Sequence, residues 1–190
     1  HQPYPVKEAD RIFIGEDKRD LATSVRAKFK NKPNESCIGW SEREIQMLRD
    51  LYDSNLRHSD YWIGVLYSKL EEWSLAGNTL FILTSDHGEH LGEHNHLNHG
   101  GPGFDSGVHV PLIMVWPGQI PGDVKIKGLC ELIDIVPTIV DICSLKKPPG
   151  KTFDGVSLTN SFDEPSRGKE AVYGQNYIRT DRYKLLLDED

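Results

Sequence analysis

Asn78-Thr-Leu-Phe-Ile-Leu-Thr-Ser-Asp-His-Gly-Glu-His-Leu-Gly-Glu-His-Asn-His-Leu-Asn-His-Gly100 is the stretch on which the reading of this chain turns. Its opening residues, 79–85, are apolar and rich in strand formers, the pattern of a short buried β-strand. The remainder holds five of the chain's eight histidines, His87, His90, His94, His96 and His99, with Asp86, Glu89 and Glu93 among them. Imidazoles and carboxylates at this density are the material of a metal or anion site. The cluster begins where the strand ends, which is where open α/β sheets bind their ligands. The expected placement is a central strand of a mixed sheet, with Asp86 and His87 at its C-terminal end.

Working outward, Ser41-Glu-Arg-Glu44 is a capping-box pattern. Apolar residues then recur at Ile45, Leu48, Tyr52, Leu56, Ile63, Leu66, Leu70 and Trp73, which predicts an amphipathic helix of about 35 residues and roughly 50 Å. Gly77 is its expected C-cap, and Trp62 and Trp73 are core candidates. Beyond the histidines, Val108–Trp116 reads as a second strand and Val124–Cys130 as a weaker one. Asp134-Ile-Val-Pro137 opens a short helix through Cys143, with the proline in its first turn. Residues 168–187 carry two further strand candidates, and residues 1–40 read as loop plus short helix. Helix and strand in alternation favour an α/β sheet with helices on its faces.

The 190 residues suit one domain. A net charge of −7 argues against nucleic acid or an anionic membrane as the main partner. No apolar run approaches the ~18 residues that a membrane span needs, and no signal peptide is visible. Cys37, Cys130 and Cys143 have no C-x-x-C spacing and, being odd in number, read as thiols rather than a disulfide framework. Asn34-Glu-Ser36 fits a glycosylation sequon. The chain starts at His1 and stops just after a strand-like Arg182–Leu187, so it is expected to be cut from something longer.

Three readings of residues 86–99 compete. The first is a polar surface loop. The second is a zinc protease, because His90-Leu-Gly-Glu-His94 matches H-x-x-E-H. That motif needs a helix, and Gly88, Gly92, Asn95, Asn98, Gly100, Gly101 and Gly103 make a poor one. The third is an oxyanion-ester site, with Asp86 and His87 on a metal and His99 facing substrate.

The third gains from a set of short motifs. Thr84-Ser-Asp-His-Gly-Glu89, Leu91-Gly-Glu-His94, His99-Gly100, Phe104-Asp105, His109-Val-Pro-Leu-Ile113, Leu132-Ile-Asp-Ile-Val-Pro-Thr138, Asp154-Gly-Val-Ser-Leu158 and Arg179-Thr-Asp-Arg-Tyr-Lys184 follow one another in order. Together they resemble the C-terminal portion of the sulfatase family of the alkaline phosphatase superfamily. The resemblance implies an α/β fold, an alkaline-phosphatase-like mixed sheet flanked by helices, of which this chain is the incomplete C-terminal half. It divides residues 1–190 into an entry at 1–40, a metal-site core at 41–150 and C-terminal strands at 151–190.

Residue by residue, the resemblance implies that Asp86 and His87 help hold a divalent cation. Calcium is the family's usual metal; the histidine in the pair also admits manganese. His99 aligns with a lysine or histidine that contacts sulfate. His1, in His1-Gln-Pro-Tyr4, aligns with a histidine that contacts sulfate and assists the leaving group. Glu93 and His94 are expected to shape the loop behind the metal ligands. His90 and His96 are expected to be solvated, His109 to anchor a strand start and His58 to lie on a helix surface. Asp53 and Asp60 are expected on a solvated helix face.

The family's nucleophile, a cysteine or serine oxidised to formylglycine, has no counterpart in the contexts of Cys37, Cys130 or Cys143. The early aspartate ligands are likewise unmatched. The implied parent is a metal-dependent sulfuric-ester hydrolase whose nucleophile lies in a missing N-terminal half. It would act on a sulfate-ester small molecule or a sulfated glycan, in an extracytoplasmic compartment (periplasmic, secreted or lysosomal). Its oligomeric state is not readable. The rival readings are a phosphonate or phosphodiester hydrolase of the same superfamily and a non-catalytic partner subunit.

Overall fold

The computed structural model describes residues 14–31, 36–147 and 149–187. His1, the expected leaving-group histidine, and Asn34 of the sequon lie outside these residues. The residues gather into two compact units. The first comprises His1–Leu75 with His87–Gly101, and the second Ala76–Asp86 with Pro102–Asp190. The division falls within the ligand-like pair, between Asp86 and His87.

The first unit is built on two helices, α1 (Arg19–Asn31) and α2 (Glu42–Glu72). In α1, Ala22, Val25 and Phe29 recur at helical spacing; in α2, Met47, Leu48 and Leu51 do. With Ile14 and Leu97 they form the buried core. The capping box at the start of α2 is present: the Ser41 hydroxyl accepts from the Glu44 N–H, and the Ser41 N–H donates to the Glu44 carboxylate at 2.7 Å. Lys28 donates to the same carboxylate at 2.6 Å, and these hydrogen bonds hold the Glu44 carboxyl at about 2.

At 31 residues α2 is shorter than expected, about 46 Å by its rise per residue. Trp73 is its C-cap, and Ser74, at φ 57, takes the left-handed position assigned to Gly77. Gly77 sits in a following 3-10 turn, Ala76–Asn78. Trp62 and Trp73 are not core residues: they are 55% and 61% exposed. The core of this unit lies against the N-terminal half of α2, and helical periodicity alone does not say how far along a helix the packing extends.

The histidine stretch completes this unit as a hairpin. Strands β2 (His90–Leu91) and β3 (Leu97–Asn98) pair antiparallel, His90 with Asn98 and Leu91 with Leu97. A 3-10 turn, Glu93–Asn95, joins them, and Ser36 adds a bridge to His96. Gly92 enters the turn at φ +105, and a Cβ there would lie 2.8 Å from Ile45 Cγ2 and 3.2 Å from Arg49 Nη2. Only glycine combines that backbone with so close an approach to α2.

In the second unit β1 (Phe81–Thr84) pairs antiparallel with β4 (Leu112–Val115). The expectation of a central strand in a mixed sheet is not met: among the described residues β1 has one neighbour, and every strand pairing is antiparallel. The predicted strand at 108–116 is also shortened. Asp105–Val108 is instead a single helical turn (α3). Pro111, with no N–H to give a ladder, immediately precedes β4. The predicted strand at 124–130 reduces to one bridge, Leu129 with Lys169.

A 3-10 turn, Leu132–Asp134, leads into α4 (Ile135–Ile142), as the proline signal predicted. After a short helix α5 (Thr159–Asp163), β5 (Ala171–Gly174), β6 (Tyr177–Thr180) and β7 (Lys184–Leu186) form an antiparallel meander. Two strands were expected there; the turn at Gly174–Tyr177 divides the first into a hairpin.

Asp134 staples this unit. It is fully buried, and its carboxylate accepts from the N–H groups of Glu131 and Val156, both at 2.8 Å. Its carbonyl accepts from Thr138 Oγ1 at 2.5 Å, which in turn accepts from the Leu158 N–H at 2.9 Å. Lys169 lies 2.8 Å from the Asp134 carboxylate and also pairs with Glu131. The D-x-x-P-T and D-G-x-S-L motifs are thus bound to one another.

Candidate active site

The histidines occupy different roles in the hairpin. His90 is 1% exposed, which corrects its expected solvation. Its Nε2 lies 3.2 Å from the Gly100 carbonyl. Since a carbonyl only accepts, Nε2 carries the proton. Burial pushes the His90 imidazole below its usual range. His94 is exposed, with φ 51 in the turn. His96 is half-buried rather than solvated. His90 on a strand and His94 in a 3-10 turn do not share a helix face, and the H-x-x-E-H protease reading fails on that ground.

Glu93 is tied to its own hairpin and to α2. It accepts from the Leu91 N–H at 2.6 Å, and Arg49 of α2, 3.8 Å from Glu93, donates through Nε to the Leu91 carbonyl at 2.9 Å. Both polar groups of that residue's backbone are held by one ion pair. Arg49 escaped the sequence reading because an arginine on a helix face carries no local signal of its partner.

His87 and His99 come together. Their rings stack with centroids 4.3 Å apart and planes 25° apart. His87 Nδ1 is 2.8 Å from the Gly88 carbonyl, so it donates. Glu89 Oε2 lies 3.4 Å from His99 Nδ1, with the glutamate side chain only 10% exposed. Asp86 is exposed at the end of the second unit's β1 segment, beside the Ser85 hydroxyl. Of the expected site residues, the fold therefore brings His87 and His99 into contact.

An imidazole and a carboxylate, as at His87 and Asp86, are donor types that divalent cations accept. Among the described residues no three His, Cys, Asp or Glu side chains gather into a metal-holding group. All three cysteines are free thiols, and burial pushes the Cys37 and Cys130 thiols up, with Glu93's charge adding to the effect at Cys37.

His109 is exposed and its N–H caps the α3 turn on the Asp105 carbonyl. His58 accepts from Trp62 Nε1 at 3.0 Å on the helix surface, and Asp53 and Asp60 are exposed. A charged cluster outside the histidine region also went unread: Asp105 accepts from Arg179 and Lys184, each at 2.7 Å. Those cations hold the Asp105 carboxyl at about 2, the Lys184 hydrogen bond contributing most among the lowering effects. No helix among the described residues is long and apolar enough to cross a membrane.

A family profile described as Sulfatase matches residues 3–144. Arylsulfatase K of Mus musculus is 31% identical over 144 residues, 75% of this chain and 25% of that protein. The chain thus spans about a quarter of the length of this relative.

Among solved structures, a protein bound to its substrate D-glucosamine-2-N,6-O-disulfate superimposes with a TM-score of 0.66 at 24% identity, over 88% of this chain and 37% of that one. A phosphonate monoester hydrolase of Silicibacter pomeroyi superimposes with a TM-score of 0.62 at 30% identity, over 81% and 32%. The fold is the α/β, alkaline-phosphatase-like one, present here as helices with small sheets.

Proposed function

The chain belongs to the sulfatase family, and we propose that it supplies one wall of the active site of a sulfuric-ester hydrolase. The observation that carries this is the contact between His87 and His99, twelve residues apart, at the mouth of a hairpin that Arg49 and Glu93 hold on α2. In this reading Asp86 and His87 are two ligands of a divalent cation, calcium or manganese, which would stabilise negative charge on the ester's oxygens. His99 faces a sulfate oxygen and stabilises the charge that builds there. His1 joins it as a second anion contact and acid for the departing alcohol. A formylglycine nucleophile would come from outside these 190 residues. The substrate class is a sulfate ester, on a small molecule or a glycan, met in an extracytoplasmic compartment.

A second reading is a phosphonate monoester hydrolase, favoured by the 30% identity to the Silicibacter enzyme. The test is hydrolysis of an aryl sulfate and of a phosphonate monoester, with added calcium or manganese. It is run on the 190-residue chain and on the complete reading frame containing it. The expected result is sulfate-ester turnover by the longer protein and none by the 190 residues. Preference for the phosphonate ester would install the second reading, and turnover by the short chain would overturn the assignment of the nucleophile.

A further inference from the structure

The hairpin that carries His87 and His99 is too short to fix itself. Its ladder has only the pairs His90 with Asn98 and Leu91 with Leu97, and an isolated two-stranded hairpin is marginal in water. Its backbone also holds positive φ at Gly92, His94, Asn95 and Asn98. Non-glycine residues persist there only where the surrounding structure over-determines them.

That surrounding structure is visible. Leu97 is buried in the core of the unit. Cys37 donates its N–H to the Asn95 carbonyl at 3.0 Å and grips the turn from one side. From α2, Arg49 Nε donates to the Leu91 carbonyl at 2.9 Å, and Arg49 Nη2 lies 3.8 Å from the Glu93 carboxylate, which accepts from the Leu91 N–H. A planar guanidinium makes both approaches at once because its N–H groups point in fixed directions.

From Leu91 the constraint runs on toward His99. The preceding residue, His90, is 1% exposed, and its Nε2 donates to the Gly100 carbonyl at 3.2 Å. Gly100 directly follows His99, and Gly100 and Gly101 turn the chain away at φ 103 and φ 68. Holding Leu91 therefore holds the buried ring that grips the backbone just after His99.

We propose that Arg49 is a positioning residue of the candidate site: through Leu91 and His90 it sets where the His99 ring stands against His87. This rests on the sulfatase-site reading above for what His99 meets, and on the hairpin alone for how Arg49 acts.

The first test is proton NMR of the 190-residue chain. The His87 and His99 rings, with centroids 4.3 Å apart, should give ring-to-ring NOEs. Arg49→Ala should lose them while the methyl signals of Val25, Leu48 and Leu51 in the α1–α2 core stay in place, and Arg49→Lys should keep part of them. Undiminished ring NOEs in Arg49→Ala overturn the proposal. If the core signals collapse in that variant, Arg49→Gln, which lacks only the charge and the length of arginine, is read by the same two criteria.

The second test is a double-mutant cycle in the complete protein with an aryl sulfate. Arg49→Ala should lower kcat/KM by about 10–100-fold, mainly in kcat, as misplacement of a reacting group does. Arg49→Lys should recover part of that, and Arg49→Ala should add less than about twofold in a His99→Ala background, as coupled residues do. An equal loss in both backgrounds means a structural role only and overturns the proposal while leaving the function intact. A harmless His99→Ala overturns both. If the complete protein prefers a phosphonate ester, the same cycle with that substrate decides the role of Arg49 by the same criteria.

Discussion

The histidine hairpin and the Asp134 staple are both dense in charge and both carry family-like motifs, yet they spend their polar atoms differently. Around Asp134 the acceptors are consumed by backbone N–H groups and Lys169, in a site withdrawn from water. In the hairpin, Arg49 and Glu93 consume the backbone of Leu91, but His87 and His99 meet each other's faces at its mouth. The difference teaches that a motif marks what a fold needs as often as what a reaction needs. The contrast on the page is between a carboxylate tied to backbone N–H groups and two imidazoles stacked on one another.

The sharpest way to break this comparison is Asp134→Ala. It strips two N–H groups of their acceptor and leaves Lys169 beside an emptied site, and removing one member of such a pair costs about 3–5 kcal/mol. Urea unfolding should show a loss of that order; a loss under about 1 kcal/mol would mean the staple is not what holds the unit together.

His90 tests whether the hairpin has a staple of its own. His90→Ala leaves the Gly100 carbonyl without its donor and should cost about 1–3 kcal/mol. Its pH dependence has a definite sign. Burial depresses the folded imidazole, so the unfolded chain takes up the proton first as pH falls below about 6.5. Stability present above that pH is lost as the medium acidifies toward the depressed folded value. His90→Gln, which cannot titrate, should flatten the unfolding free energy between neutral and acid pH; an unchanged slope would remove His90 as its source.

Smaller still is Asp105→Asn. Asp105 is about half exposed, so its pairing with Arg179 and Lys184 is worth no more than about 1 kcal/mol despite the low carboxyl value. The group's folded value, about 2, lies below its unfolded one. Its contribution is therefore present above about pH 4 and lost as pH falls through about 2. The variant should lack that acid-side decline in a thermal-melt series.

The smallest stability effect belongs to His99→Ala. A part-exposed ring at the mouth of the hairpin should change unfolding by about 0.5 kcal/mol or less, while turnover of the complete protein falls by about 100-fold or more. A large stability loss with little change in turnover would place His99 with Asp134.

Several features were legible in the residues alone. Ser41 and Glu44 set the start of α2, Pro137 marked the first turn of α4, and glycines and asparagines from Gly88 to Gly103 ruled against a helix there. These are local signals, decided within a few residues by hydrogen-bond reach and allowed dihedrals. Trp62 and Trp73 misled because periodicity reports that a helix has two faces, not which face is covered. His90 misled for the complementary reason: a histidine's type predicts exposure, and only the hairpin's seat on α2 buried it.

The sequence by itself determined the chemical inventory: a strand running into imidazoles and carboxylates, no cysteine in a nucleophile's context, and a family membership written in ordered motifs. Tertiary structure alone decided the pairings. Glu89 meets His99 because the hairpin register makes their positions opposite, and Arg49 meets Leu91 because α2 packs beneath it. Asp134 reaches Val156 because a loop twenty-two residues on returns to it. Contacts between residues far apart in sequence depend on how the chain closes on itself, and closure is set by the summed burial and hydrogen bonding of a whole unit rather than by any segment.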